Sequence, residues 1–298
     1  MANLTMLGKA VKKKLKDALE TGKLDLVGNG QGAFQFVGFV PEGERALAGA
    51  LSLMANLTTL TLDSNNIGPE GACALAGALP SMTNLGKLDL GGHCFAAEAR
   101  GTEGASALAG ALSFVPNLTN LNLINTQFGR PPEGARALGP EGASALAVAL
   151  PSMANLKTLN LIDNELGPEG ASALAGALPS MTNLTTLNLA WNNIGPETVR
   201  ALVGALPSMA NLTTLGLGQN GIGPEGETLD LEHNLIGPEG AGALAGALPS
   251  MVNLTELNVA RNIIGPEGER ALAVALPSMA NLTMLGKAVK KKLKDALE

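Results

Sequence analysis

Seven residues of this sequence belong to types that make strong contacts on protein surfaces, and they recur near equivalent positions of similar segments. They are Asp163, Trp191, Gln219, Glu232, His233, Glu256 and Arg261. Tryptophan and arginine are the types most enriched among residues that dominate binding energy, and carboxylates pair with a partner's cations. Adjacent strands lie about 4.8 Å apart, so one such residue per strand would form a row. The set is a candidate partner-binding site, and the alternative is drift within a repetitive sequence.

Catalytic and metal-binding chemistry lacks a matching set of residues. His93 and Cys94 form an adjacent pair, but a metal site needs three or four ligands and only Glu98 is near them. His233 has no serine or cysteine nucleophile in its row. The sequence contains no nucleophile elbow, phosphate-binding loop or zinc signature. We therefore predict that the protein is not an enzyme and that it binds no cofactor or metal.

The elements that would position these residues are the parts of a repeated unit. Residues 57–84 read LTTLTLDSNNIGPEGACALAGALPSMTN, and this pattern returns with a basic step of 28 residues. Its first leucines alternate with short polar residues, as in a strand with one buried face. An asparagine at the ninth position can bond backbone groups where the chain leaves the strand. Gly-Pro-Glu-Gly then starts a short helix with one apolar stripe, and the next proline ends it.

Strand, crossover helix and parallel strand in repetition predict an α/β solenoid with about nine inner parallel strands and outer helices. Segments such as LKTLNLIDNELGPEGASALAGALPSM (156–181) resemble the leucine-rich repeat of the long, ribonuclease-inhibitor type. The resemblance covers roughly residues 21–285 and implies a horseshoe-shaped leucine-rich-repeat fold. The family includes ribonuclease inhibitor, sensor regions of NLR receptors, the Ran GTPase-activating protein and the actin-binding region of tropomodulin. Most members bind proteins through the concave sheet or its rim.

Insertions lengthen three units in the amino-terminal half. They lie at 30–40, around 96–100, and where PEGARAL (132–138) is nearly repeated as PEGASAL (140–146). Each follows a strand at its carboxyl-terminal end, which is where ligands of parallel α/β sheets often bind. Surface loops also tolerate changes of length, so drift is the alternative.

The opposite departure lies at 212–239. Leu229 and Leu231 restart a strand after only 14 residues, so one helix is missing. Parallel strands usually need a connection of about a dozen residues or more. We therefore expect a thin or kinked point in the solenoid at 218–228.

The net charge of −6 conceals an uneven distribution. Residues 1–20 and 279–298 share the sequence MANLTMLGKAVKKKLKDALE, so the two copies carry +6 and the rest of the chain −12. An acidic body with few aromatic residues predicts no nucleic-acid partner. The chain has no run of about 18 apolar residues, and no apolar signal segment follows the first lysines. We expect no membrane insertion and a cytoplasmic protein.

The shared terminal sequence predicts a basic amphipathic helix. Its apolar positions in the first copy are Val11, Leu15, Ala18 and Leu19, and its basic positions are Lys12, Lys13, Lys14 and Lys16. Solenoids need polar end units, so we interpret residues 1–20 as an amino-terminal cap helix and 21–281 as the solenoid. Residues 282–298, identical to 4–20, are interpreted as the last strand and a carboxyl-terminal cap. The lysines leave open a contact with an anionic surface or an acidic partner.

Together these features predict a monomeric, non-catalytic scaffold for protein–protein interaction. A protein partner is expected on the concave sheet face and the strand-to-helix loops. The alternative comes from the family resemblance alone. It is a regulatory component, such as a small-GTPase activator or a fragment of an NLR-like sensor.

Overall fold

The computed structural model describes most of the repeat array. The described residues are 7, 9–27, 41–65, 67–92, 103–124, 138–217, 220, 241–242, 244–246, 248–250, 256–257, 265–278 and 284–285. The helices with described bounds are α1 (Lys9–Thr21), α2 (Pro41–Leu51), α3 (Pro69–Ala78), α4 (Glu103–Ala111), α5 (Gly139–Ala149), α6 (Gly167–Ala177), α7 (Gly195–Ala205) and α8 (Gly265–Ala275). Residues 241–242 and 244–246 are also helical.

Short strands alternate with these helices and form one parallel sheet. They are β1 (Lys23–Asp25), β2 (Thr59–Thr61), β3 (Lys87–Asp89), β4 (Asn120–Asn122), β5 (Thr158–Asn160), β6 (Thr186–Asn188), β7 (Thr214–Gly216), β8 (Glu256–Leu257) and β9 (Met284–Leu285). Within the described ranges the nine strands pair in chain order, from β1 to β9. The predicted α/β solenoid with an inner parallel sheet and outer helices is therefore confirmed.

The α3 unit illustrates how the repeat sequence makes its helix. Pro69 is the first helical residue, and Glu70 lies in the first turn, where the helix dipole favours a negative charge. Ala72, Leu75 and Ala78 are buried against the sheet. The α-helix ends at Ala78, and the following proline lies in the 3-10 turn Leu79–Ser81. The same turn recurs at Leu112–Phe114, Leu150–Ser152, Leu178–Ser180, Leu206–Ser208, Leu248–Ser250 and Leu276–Ser278.

The insertions leave the strand ladder in register. Leu24 lies opposite Leu60, and Leu88 opposite Leu121, although extra residues separate these strands along the chain. Where the Pro-Glu-Gly motif is nearly duplicated, the second copy forms α5 and Leu138 before it is buried. The inserted residues themselves lie outside the described part of the chain.

The neighbour of β7 differs from the one that the sequence analysis expected. The strand restarting at Leu229 and Leu231 was expected to follow β7 in the sheet. Instead Thr214 of β7 lies directly opposite Glu256 of β8, so the two strands are hydrogen-bonded neighbours. The predicted weak point at 218–228 stays a prediction, because only residue 220 of that stretch is described.

The helix α1 packs against β1 at the amino-terminal end of the sheet. Val11, Leu15 and Ala18 are buried, as the amphipathic pattern predicts. Leu19 is instead 59% exposed. The Nζ of Lys14 donates a hydrogen bond to the carbonyl oxygen of Asp25 in β1, at 2.6 Å. Lys14 is thus committed to the fold, whereas Lys12, Lys13 and Lys16 are exposed.

Candidate functional site

A row of residues with left-handed backbone follows the carboxyl-terminal ends of the strands. We call it the left-handed row, and its described members are Ser64 (φ 59°), Gly92 (φ 70°), Asp163 (φ 57°) and Trp191 (φ 60°). Hydrogen bonds between successive turns hold the row in register. The N–H of Asp163, for example, donates to the carbonyl of Ala190 at 2.9 Å. Asp163 and Trp191 therefore lie at equivalent positions on neighbouring turns.

A ladder of buried asparagines builds these turns. Asn192, directly after Trp191, is fully buried. Its Nδ2 donates to the carbonyls of Leu161, Leu189 and Ala190 at 2.8, 2.9 and 2.9 Å. Its Oδ1 accepts the N–H of Asn164 at 2.9 Å, and the N–H of Asn192 in turn donates to Oδ1 of Asn220 at 2.8 Å. The predicted role of the ninth-position asparagine is confirmed here.

Trp191 is unusual for its position in the row. The other described turns carry glycine, serine or aspartate there, which are small residues. Left-handed backbone costs an L-residue about 1–2 kcal/mol, and a bulky residue in it is an outlier. The bonds of Asn192 hold the turn regardless of what precedes it. Half of the indole surface remains exposed, at 50%. Strain that is kept without a gain in burial is typical of a functional position.

Negative charge lies beside this indole. Asp163 is half-buried, and its pKa is raised, first by burial and then by the negative charge of Glu165. Glu165 is exposed and itself has a left-handed backbone (φ 48°). An exposed aromatic ring next to two carboxylates suits a cationic side chain, which can stack on the ring and pair with the acids.

The polar residues in the middle of the strands are bound to their own sheet. Asp89 accepts hydrogen bonds from Nδ2 of Asn122 at 2.8 Å and from the N–H of Gly91 at 3.3 Å. The Oδ1 atoms of Asn160 and Asn188 accept the backbone N–H two residues further on, at 3.3 and 3.1 Å. Because these groups are used internally, the left-handed row offers a partner more than the middle of the sheet does.

The structure brings together only part of the residue set that the sequence singled out. Asp163 and Trp191 are neighbours, and the backbone of Glu256 lies in β8. The expected order of four successive turns is wrong, because β8 follows β7 directly in the sheet. Gln219, Glu232, His233 and Arg261, and the side chain of Glu256, lie outside the described residues.

Two features of the site were missed from sequence. One is the left-handed backbone of Trp191, and the other is Glu165. The residue types at the equivalent positions (Ser64, Gly92 and Asp163) carry the signal for the first, because serine, glycine and aspartate all favour turns. Glu165 could have been found by its place two residues after Asp163 in the same turn.

Other classes of site have no support in the described part of the chain. No three His, Cys, Asp or Glu side chains described here are grouped so that they could hold a metal ion. None of the described helices combines the length and apolar character that crossing a bilayer requires.

Comparison with known proteins follows from the repeat geometry. Six segments match the family model described as Leucine Rich repeat, at 54–76, 152–175, 180–203, 208–226, 227–245 and 250–273. The chain contains leucine-rich repeats. Trp191 lies in the third matched repeat and Asp163 in the second. Proteins built from such repeats generally act as protein-interaction scaffolds.

Two further comparisons concern whole chains. A similar solved structure is that of an internalin C2 from Listeria monocytogenes str. 4b F2365. It is 15% identical, with a TM-score of 0.42, and the match covers 93% of this chain and 92% of that chain. No curated protein sequence matches this chain.

Proposed function

We propose that this leucine-rich-repeat protein is a non-catalytic interaction scaffold whose partner binds along the left-handed row, with Trp191 as the anchor. The observation that carries the proposal is the half-exposed indole held at φ 60°. A small residue would relieve the strain at that position. Exposed tryptophans at the centre of an interface are among the strongest binding residues.

The partner that fits this surface presents an arginine or lysine in an extended or loop segment. Its cation would stack on Trp191 and pair with Asp163 and Glu165. Burial and the charge of Glu165 both raise the pKa of Asp163, so a partner's positive charge would favour its ionised form. Lysines 23, 87 and 157 lie at the opposite, amino-terminal ends of the strands. This polarity orients a basic segment toward the carboxyl-terminal rim.

The Trp191→Asn variant is expected to lose binding and gain stability. Asparagine tolerates left-handed backbone, so the free energy of unfolding should rise by about 1 kcal/mol. Loss of an anchoring indole should weaken partner affinity by about 30-fold or more, which corresponds to about 2 kcal/mol. Urea denaturation measures the first effect. Affinity capture from a lysate, followed by titration of the purified partner, measures the second.

Two controls make this experiment specific. Trp191→Phe keeps an aromatic ring and the backbone strain, so it should retain most of the binding and gain no stability. Phe114→Ala removes a ring that is 57% exposed but lies away from the row, in a 3-10 turn, and it should bind like wild type. Equal partner recovery by Trp191→Asn and wild type would reject the proposal. Accelerated GTP hydrolysis by a panel of small GTPases would favour the regulatory alternative instead.

Binding is expected to weaken as the pH falls below neutral. The raised pKa of Asp163 means that its carboxyl gains a proton at a higher pH than an ordinary aspartate does. Asp163→Asn should therefore bind more weakly at pH 7.5 and lose part of the pH dependence. It should be no less stable than wild type at that pH, because ionisation of a carboxyl with a raised pKa lowers stability as the pH rises. Titrations at pH 5.5, 6.5 and 7.5 test this, and an unchanged affinity would contradict it.

We further infer a ribonuclease-inhibitor-like subfamily. Support comes from the 28-residue step and from the full α-helix in units such as α6 and α7. This assignment does not affect the proposed binding surface.

A further inference from the structure

The two ends of the chain carry the same docking segment. Residues 282–298 are identical to residues 4–20. In the first copy, Leu7, Val11, Leu15 and Ala18 are buried in the core that continues into β1. Lys14 adds its hydrogen bond to the Asp25 carbonyl at 2.6 Å. These contacts define the surface of β1 on which the amino-terminal copy lies.

The second copy contains every group that these contacts use. The residues that match Leu7, Val11, Lys14, Leu15 and Ala18 are Leu285, Val289, Lys292, Leu293 and Ala296. Its first residues form β9, which pairs with β8 through Leu285 opposite Leu257. Among the described strands β9 is the last of the sheet, so β8 lies on one side of it. In the first copy, the segment has β1 on its carboxyl-terminal side. One copy could thus contact both neighbours at once.

We propose that residues 282–298 of one molecule dock on β1 of a second copy of this chain, in place of that copy's residues 4–20. Identical sequence allows identical contacts, so the exchange replaces each contact with its equivalent. The joint is head to tail: a single segment is the last unit of one molecule and the first unit of the next. Such a heterologous contact does not close on two molecules and can extend into chains.

The wild-type chain is expected to remain largely monomeric at micromolar concentration. Its own amino-terminal copy is tethered to β1, and tethering by a short linker gives an effective concentration of about 1 mM. Assembly therefore requires that residues 4–20 lose their hold on β1. This inference is independent of the binding surface around Trp191.

The test uses the full chain with matched substitutions in the two identical segments. Leu15→Asp places a charge in the buried face of the first copy, and Leu293→Asp does the same in the second. We expect Leu15→Asp to form dimers and longer oligomers between about 10 and 200 μM in sedimentation velocity, where tethering no longer competes. Leu293→Asp alone and the double variant should stay monomeric. Circular dichroism checks that all three variants are folded.

A competitor peptide provides the second measurement. A peptide with the sequence of residues 1–20 should return the Leu15→Asp oligomers to monomers, and the same peptide with aspartate at position 15 should not. A fluorescent form of the peptide should also bind wild type, but at least 10-fold more weakly than it binds Leu15→Asp. Failure of the peptide to bind folded Leu15→Asp would overturn the proposal. So would oligomers that persist in the double variant or in excess peptide, because these would be non-specific aggregates.

Discussion

Replacing Asn192 with alanine is expected to lower the free energy of unfolding by about 3 kcal/mol. The substitution removes the Nδ2 donor of the Leu161 and Ala190 carbonyls and the Oδ1 acceptor of the Asn164 N–H. Each buried polar group that loses its partner costs about 1–3 kcal/mol. Because Asn192 also sets the turn that contains Trp191, partner binding should fall with stability.

The aspartate variant at the same position separates hydrogen-bond donors from shape. Aspartate has the size of asparagine, but its carboxylate can only accept hydrogen bonds, and it would face the carbonyls of Leu161, Leu189 and Ala190. Asn192→Asp should therefore be at least as unstable as Asn192→Ala at pH 7. Burial without a cation raises a carboxyl pKa, so the variant should recover stability as the pH falls toward 5.

Asn183→Ala is the matched control for both variants. Asn183 is exposed, and its Nδ2 donates one hydrogen bond to the carbonyl of Ala154 at 2.9 Å. Water can replace that bond, so the loss should be well under about 1 kcal/mol. Urea denaturation followed by circular dichroism measures all three variants. A similar loss for Asn183→Ala and Asn192→Ala would show that the asparagine ladder does not set stability.

The regular part of the fold could be read from sequence because one period repeats. A leucine such as Leu60 or Leu187 is buried at the same point of every strand, and Pro69 begins a helix where the pattern predicts. Strand order followed from the repetition itself. The pairing of β7 with β8 could not be predicted in this way. The period fails between them, and backbone pairing across the sheet then decides which strand is next.

The candidate site was predicted in part for a related reason. Spacing places Asp163 and Trp191 at equivalent points of successive units, and the structure brings them together. Spacing carries no information on backbone angles, so the left-handed φ of Trp191 was missed. That angle depends on the buried amide of Asn192, which bonds to the preceding unit through Leu161. It is a tertiary effect that becomes visible only when two units are packed.

Replacing Leu159 with alanine is expected to lower the free energy of unfolding by about 2–5 kcal/mol. Leu159 lies in the middle of β5 with no exposed surface, between Leu121 and Leu187 of the adjacent strands. Truncation removes buried apolar surface and leaves a cavity, and the short units on both sides can collapse onto it only partly. The loss should come without a change in backbone conformation at Trp191.

Leu53→Ala is the control for this substitution, because it deletes the same atoms at a position that is 75% exposed. It should change the free energy of unfolding by less than about 0.5 kcal/mol. Comparison of the two urea midpoints isolates burial as the cause, since the chemical change is the same. Equal losses would mean that the leucines of the sheet are not the main source of stability. A loss confined to Leu159→Ala would show that the inner leucine row holds the turns in the register that the left-handed row requires.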